Sequence, residues 1–594
     1  MSSLDLDYDR EVAAADGVEG GAAASFNNDY AKLGDVDEFV QRTQDYADGK
    51  LTADAYRAYR LTRGVYGQRQ DNVFMLRIKM PGGIVTPDQL RSVAYVVDNA
   101  EDKLGHITTR ENIQIHHFPL PEVAGWMEHL AKSGLTMTEA CGNAVRNITQ
   151  DPWAGLAADE VFDTTPYLQA ITHFFLRNPR AQGLPRKFKI AISASAADRG
   201  YAAIHDVGLV ATLTDDGQPA FRVLVGGGLA SMPRSALEVH SCWPAKDILT
   251  PMLAVIDFFQ EHGNRKVRSK ARIKHVLRKM GDEAFLAKYQ EYLAKVVLDP
   301  PAVIEPSAQV VYPKGESWSY ARPTDDFSKR SGFATWAVTN VRETRLPGKV
   351  FVAVRIDRGG EVTGDMLRNL ATLTEQYGEG KLHFTPQQNA VLRAVDVSQL
   401  PALYRELETA GLSKSGADTV ADITSCPGIS TCNLGITYSR NLADELTDLL
   451  AGEAEDSISI KISGCHNSCG QHHIGTIGFF GALRRIGGRP APHYRMLVGG
   501  GVFPEGAEFG DDFGLIPARR APEAVKRLLA HAKANAQNET PAAYLRRVDK
   551  DDLKPLIADL VDLDAEVATE NDFWDIGATE AFLGEATGEG ECAA

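Results

Sequence analysis

A chain of 594 residues with 44% apolar and 24% charged side chains has the make-up of a soluble globular protein, and its length suits about four domains. The net charge of −16 argues against nucleic acid as the main partner. No apolar run reaches the ~18 residues of a membrane span, because the best stretch, near Leu253, is broken by Asp257. The acidic N-terminus lacks a charged-then-apolar signal pattern, and the cysteine spacing suits metal binding in a reducing compartment. A cytoplasmic location is expected.

Residues 1–38 hold ten acidic and two basic side chains among many Ala and Gly and read as a mobile acidic arm. Helical spacing follows from about Asp37 to Leu61. An internal repeat then sets the organisation. Phe74-Met-Leu-Arg-Ile-Lys-Met-Pro-Gly-Gly returns as Phe351-Val-Ala-Val-Arg-Ile-Asp-Arg-Gly-Gly, and Thr108-Thr-Arg-Glu-Asn112 as Thr385-Pro-Gln-Gln-Asn389. Farther on, Phe221-Arg-Val-Leu-Val-Gly-Gly-Gly228 returns as Tyr494-Arg-Met-Leu-Val-Gly-Gly-Gly501. Each copy opens with an alternating strand, a Gly-Gly turn, a helix starting near Thr-x-Asp, and a second alternating strand. The predicted architecture is α+β, a duplicated half-molecule with pseudo-twofold symmetry. Its segments are a half-domain over 39–135, a larger domain over 136–298, a proline-rich linker over 299–340, a second half-domain over 341–412 and a second larger domain over 413–540. An acidic tail, 541–594, is expected to wrap the surface through Leu556, Leu560, Leu563 and the Phe573-Trp574 pair.

In the first copy, alternation places Arg77 with Lys79 on one strand face, Arg110, Asn112, Gln114 and His116 on another, and Lys187 with Lys189 on a third. Taken singly, such faces are the ordinary solvated side of an antiparallel sheet. The repeat changes that reading. At the second-copy positions Lys79 gives way to Asp357, Arg110 to Gln387, Lys187 to Ser457 and Lys189 to Ser459. The second copy instead holds Cys426-x5-Cys432 and Cys465-x3-Cys469, four of the chain's seven cysteines. Four clustered thiolates are what an iron–sulfur cube requires. Zinc also accepts four thiolates, and a buried cysteine core is the bland alternative. One half concentrates cations and the other holds the thiolates, an asymmetry that suits an anion meeting a metal.

Ser-Gly-Cys465-His-Asn-Ser-Cys469-Gly, with a C-x5-C pair upstream, resembles the cluster signature of sirohaem sulfite and nitrite reductases, and the likeness runs over about residues 55–545. His466 departs from the proline often found there. The resemblance implies two ferredoxin-like half-domains and two larger sirohaem and Fe–S domains, with sirohaem and a 4Fe–4S cluster as cofactors. Cys426, Cys432, Cys465 and Cys469 would hold the cluster, Cys469 bridging it to the sirohaem iron. Arg110, Gln114, Arg186 and Asn467 would contact the sirohaem, and Arg77, Arg146, Lys187 and Lys189 the anionic substrate. Lysine in the last position of Lys-Phe-Lys is similar to the sulfite enzymes, so assimilatory six-electron reduction of sulfite to sulfide is favoured over ferredoxin-dependent reduction of nitrite to ammonia. An iron–sulfur electron carrier or redox sensor is the rival of another class. With no flavin or nicotinamide motif, electrons must come from a ferredoxin or a flavoprotein. Tyr66 and Cys141 look like the Tyr–Cys linked pair of some ferredoxin-dependent relatives, an ordinary buried thiol being the alternative. The basic run 265–280 reads as a solvated amphipathic helix or as a contact for cofactor carboxylates or an acidic ferredoxin.

Overall fold

The computed structural model describes residues 28–298, 304, 318–320, 332–584 and 591. Residues 1–27 and most of the proline-rich linker lie outside the described residues. None of the described helices is long and apolar enough to cross a membrane.

Two five-stranded sheets form the ferredoxin-like unit. The first orders its strands Val65–Gly67, Val73–Arg77, Ile113–Pro119, Gly105–Ile107 and Glu361–Val362. The second orders Val341–Glu343, Lys349–Val354, Ala390–Asp396, Leu382–Phe384 and Ile84–Val85. Each sheet thus takes its last strand from the other copy. The exchange follows from the Gly-Gly turns. Gly83 (φ 68°) and Gly360 (φ 77°) occupy the left-handed region, where a Cβ would lie 2.4 Å from the carbonyl oxygen of Phe384 and 2.5 Å from that of Ile107 respectively. Only glycine permits this mutual approach.

The helices Pro87–Asp98 and Gly364–Tyr377 start at Thr86 and Thr363, whose hydroxyls cap Gln89 and Met366. They pack on each other across the pseudo-twofold axis. Arg91 bonds Glu375 at 2.7 Å and its repeat mate Arg368 bonds Asp98 at 2.5 Å. These exposed pairs add at most about 1 kcal/mol each. The union rests on one apolar core shared by both copies, from Val65, Leu76 and Ile113 to Val352, Leu370 and Leu392.

The two larger domains repeat one topology. In the first, Thr149–Gln150, Ile190–Ser193 and Val207–Leu213 run parallel, then Pro219–Val225 and Leu237–Pro244 continue antiparallel. In the second, Thr424–Ser425, Ile460–Ser463 and Ile477–Ile486 are followed by Arg489–Val498 and Asp511–Pro517. The chain is a duplicated α+β fold.

Five local expectations are corrected. The segment read as a mobile arm already contains the start of the helix Leu33–Ala47, anchored by buried Val36 and Phe39. The run Asp37–Leu61 is two helices, because Asp48-Gly49 ends the first and Thr52 caps the second. The stretch read as linker ends in the helix Phe333–Asn340, whose Phe333 and Trp336 join the shared core. Arg355, not Asp357, stands where Lys79 does: Arg77 pairs with Gln114 and Ala353 with Val391, at the offset relating Thr108 to Thr385. The second copy gains one residue before its turn. Leu560, Leu563 and Phe573 of the tail are buried, whereas its end, read as loose, is held at Glu591 by Arg60 and Gly67.

Candidate active site

A cavity of about 340 Å³ is lined from both copies. Its wall includes Arg77, Arg110, Gln114, Arg146, Arg186, Lys187 and Lys189 from the first copy, and Cys426, Cys432, Cys465, Asn467 and Cys469 from the second. The residues that the resemblance assigns to cluster, sirohaem and substrate therefore meet at one place, whereas Cys141 lies behind the wall.

Strand register presents the first cations. Arg77 ends its strand opposite Gln114, whose amide oxygen, turned toward it, accepts from the guanidinium Nε at 2.7 Å. The same guanidinium stands 5.7 Å from the Tyr66 ring centre. Arg146 donates from Nε to the Gly142 carbonyl at 2.7 Å and from Nη2 to the Tyr66 hydroxyl at 3.2 Å. Tyr66 and Cys141 share a buried cluster with Leu61 and Met75. Lys187 and Lys189 reach the cavity because Phe188 and Ile190, which alternate with them, are buried in the domain core.

Arg110 sits on the tight Thr108–Asn112 turn. It donates to Thr149 Oγ1 at 3.1 Å and to the Ile190 carbonyl at 3.3 Å, and contacts the Asn147 carbonyl and His205. Burial pulls its pKa down to about 10. Burial also pushes the Lys189 amine well below the usual lysine range, helped by Arg272, Arg110 and Lys187. Lys79, by contrast, does not reach the cavity. Its backbone bridges to Thr136, which turns the side chain inward, 3.9 Å from Glu139.

The cysteines sit on two turns that follow parallel strands. Cys426 comes just after Thr424–Ser425, and Cys465 and Cys469 lie on the turn after Ile460–Ser463. The Gly464 N–H donates to Cys426 Sγ at 3.1 Å and the Asn467 amide to Cys465 Sγ at 3.6 Å. Burial, with Cys469 and Cys426 nearby, pushes the Cys465 thiol up to about 12. Such sulfurs gain as thiolates when bound to iron and hydrogen-bonded. Among the described residues no three His, Cys, Asp or Glu side chains stand close enough to hold one metal ion. Cys426, Cys432, Cys465 and Cys469 on one cavity wall are the donor set that a 4Fe–4S cluster takes.

Sequence reading missed several lining residues. His106, whose strand is too short for alternation to show, stacks on His116 with ring centres 5.5 Å apart. The Nδ1 atoms of both rings and Nε2 of His116 are buried without a hydrogen-bond partner among the described residues, and burial pushes His116 down to about 3. Orphaned nitrogens on a wall that also presents Arg77, Arg110, Arg146, Arg186, Lys187 and Lys189 are what a polyacidic macrocycle would satisfy, so the wall fits sirohaem. Arg272, Lys274 and His275 of the basic run also line the cavity. Lys274 is not solvated: its ammonium donates to the carbonyls of Leu229, Ser231 and Met232 at 2.7–3.1 Å. Glu591 enters the cavity rim, accepting from Gly67 N–H at 2.6 Å and Arg60 at 2.9 Å. No local pattern signals a contact more than 500 residues apart in sequence.

Comparison with known proteins agrees with this geometry. Residues 141–297 match the nitrite and sulphite reductase 4Fe-4S domain, and residues 66–133 and 344–410 each match the nitrite/sulfite reductase ferredoxin-like half domain. Cys426, Cys432, Cys465 and Cys469 lie beyond the first match, in the domain that repeats its topology. A ferredoxin sulfite reductase of Mycolicibacterium paratuberculosis is 28% identical over 535 residues, covering 87% of this chain and 88% of its own. A ferredoxin–nitrite reductase of Synechococcus elongatus is 29% identical over 438 residues, 72% of this chain and 80% of its own. The solved NirA protein of Mycobacterium tuberculosis superposes with a TM-score of 0.72 at 25% identity, covering 89% of this chain and 97% of its own. The chain belongs to the nitrite and sulfite reductase family, oxidoreductases that carry sirohaem and a 4Fe–4S cluster.

Proposed function

We propose that the chain is a ferredoxin-dependent sulfite reductase that takes sulfite to sulfide with six electrons. The observation that carries this reading is Lys189, a fourth cation on the wall that also presents Arg77, Arg146 and Lys187. An additional positive charge favours the more highly charged sulfite over nitrite.

Cys426, Cys432, Cys465 and Cys469 would hold the cluster, and Arg110, Gln114, Arg186 and Asn467 would face the sirohaem. When bound, the cofactors would supply electrons one at a time. The protein's own groups do the rest. Arg77 and Arg146, steadied by Gln114 and Tyr66, offer planar forks to an oxyanion. Lys189, held below its usual pKa by burial and by neighbouring cations, becomes protonated as an anion settles beside it. Substrate binding thereby brings a proton to the atom that must later release it to a departing oxygen.

Ferredoxin as donor follows from the names of the relatives and from the exposed basic rim at Arg265, Lys266, Arg268 and Lys270, a surface suited to an acidic partner. A flavoprotein donor has no comparable support. Reduction of nitrite is the second reading, because the ferredoxin–nitrite reductase relative is as similar as the sulfite enzymes. Turnover of sulfite and nitrite with reduced ferredoxin tests the choice. A kcat/KM larger for nitrite would replace the sulfite assignment.

A further inference from the structure

We propose that Asp206 is a positioning residue whose carboxylate holds Arg272 and Lys189 in register and keeps Lys189 chargeable at working pH. The inference rests on the reading of Lys189 as a substrate-facing cation. Asp206 is fully buried at the start of the strand Val207–Leu213. Its Oδ2 accepts from the Lys189 backbone N–H at 2.9 Å and from Arg272 at 2.8 Å, and its Oδ1 accepts from Arg272 Nε at 3.3 Å. Arg272 also donates to the Gly227 carbonyl at 3.3 Å, and a Cβ on Gly228 would lie 2.8 Å from its guanidinium. One carboxylate thus ties the lysine strand, the basic run and the triple-glycine turn together.

The second copy shows what part of this is structural. Ile190 pairs with Val207 as Ile460 pairs with Ile477, so Ser459 and Thr476 stand where Lys189 and Asp206 do. The Ser459 N–H donates to Thr476 Oγ1 at 3.2 Å, the same bond that Lys189 makes to Asp206. A hydroxyl is therefore enough to join the two strands. The negative charge occurs only in the copy that carries the cations, so it serves them rather than the fold.

The groups that bear on the Lys189 amine are Arg272 from the basic run, Arg110 from the first ferredoxin-like sheet, Lys187 on its own strand, His205, and Asp206. Three cations depress it and Asp206 alone among these opposes them. Without that charge Lys189 would lose its proton at lower pH, and the anion site would lose a cation.

Asp206→Thr copies the second domain, keeping the strand-to-strand bond while removing the charge. The expected result is an alkaline limb of sulfite kcat/KM displaced by about one pH unit to lower pH, with unchanged iron content. The pH midpoint of Lys189 acetylation by acetic anhydride, read by mass spectrometry on the full chain, should move the same way. Arg272→Gln should move that midpoint to higher pH. Asp206→Asn serves if the threonine variant does not fold. Labelling and rate profiles that superimpose on the wild type would overturn the proposal. A shifted labelling midpoint in a protein that turns over only nitrite would instead refute the sulfite reading and leave Asp206 its role.

Discussion

The hydroxyl of Thr109 donates to the backbone carbonyl of Cys469 at 2.8 Å, joining the turn that presents Arg110 to the turn that presents the proposed bridging cysteine. Two residues 360 positions apart thereby couple the cation-bearing copy to the thiolate-bearing copy. A neutral hydrogen bond of this kind contributes about 1 kcal/mol net. Thr109→Val should leave the fold intact but loosen the Cys465–Cys469 turn. Iron release to a chelator is expected to quicken several-fold, with iron content as isolated unchanged.

Lys189 is the position on which sulfite and nitrite should part. Lys189→Asn removes the fourth cation while keeping a polar group of similar reach. Sulfite kcat/KM is expected to fall about ten-fold or more, equivalent to at least ~1.4 kcal/mol, and nitrite kcat/KM less than three-fold. Equal losses on both anions would count against the sulfite assignment.

Tyr66 and Cys141 lie in one buried cluster beside Arg146. If they are joined as the family resemblance implies, the intact mass of denatured, cofactor-free protein is lower by two hydrogens. Cys141→Ser should restore the full complement. A wild-type mass without the deficit leaves Cys141 an ordinary buried thiol.

The exposed rim around Arg268 and Lys270 should govern donor docking. Ferredoxin-supported rate is expected to fall steeply with salt in the wild type and weakly in Arg268→Gln/Lys270→Gln. Rates with a small-molecule reductant should not distinguish the two. Wild-type salt dependence in the double variant would place docking elsewhere.

Lys79, fully buried 3.9 Å from Glu139, has its pKa lowered to about 8, chiefly by desolvation. The unfolded chain holds that proton up to about pH 10.4. Below pH 8 the charged amine therefore opposes folding by its full amount, on the order of 3 kcal/mol. The opposition fades between about pH 8 and 10.4, where the unfolded state binds more protons. Relative to Lys79→Met, the wild type should gain stability as pH rises through this window. Parallel urea midpoints at pH 7.5 and 10 would contradict it.

Much of the fold was readable because duplication leaves the same local chemistry twice. The Gly-Gly turns, the threonine helix caps and the alternating strands all act within a few residues, so they are written in the chain at short range. The helix Phe333–Asn340 was misread because its flanks are proline-rich while its reason for existing, a place for Trp336 in the shared core, lies in another part of the chain. The offset error at Arg355 has a like cause: strand partners set the register, and the text of one strand does not.

For the site, the amino-acid sequence by itself determined which groups were available: four thiolates in one copy, cations in the other, each on turns or strand faces that local periodicity specifies. Tertiary structure alone decided their company. It turned Lys79 away to Glu139, set Gln114 against Arg77, drew Arg272 onto Asp206 and brought Glu591 to Arg60. Those pairings join residues far apart in the chain, and they are chosen by the need to satisfy buried charge once the cores have packed, a demand that does not exist until the chain has folded.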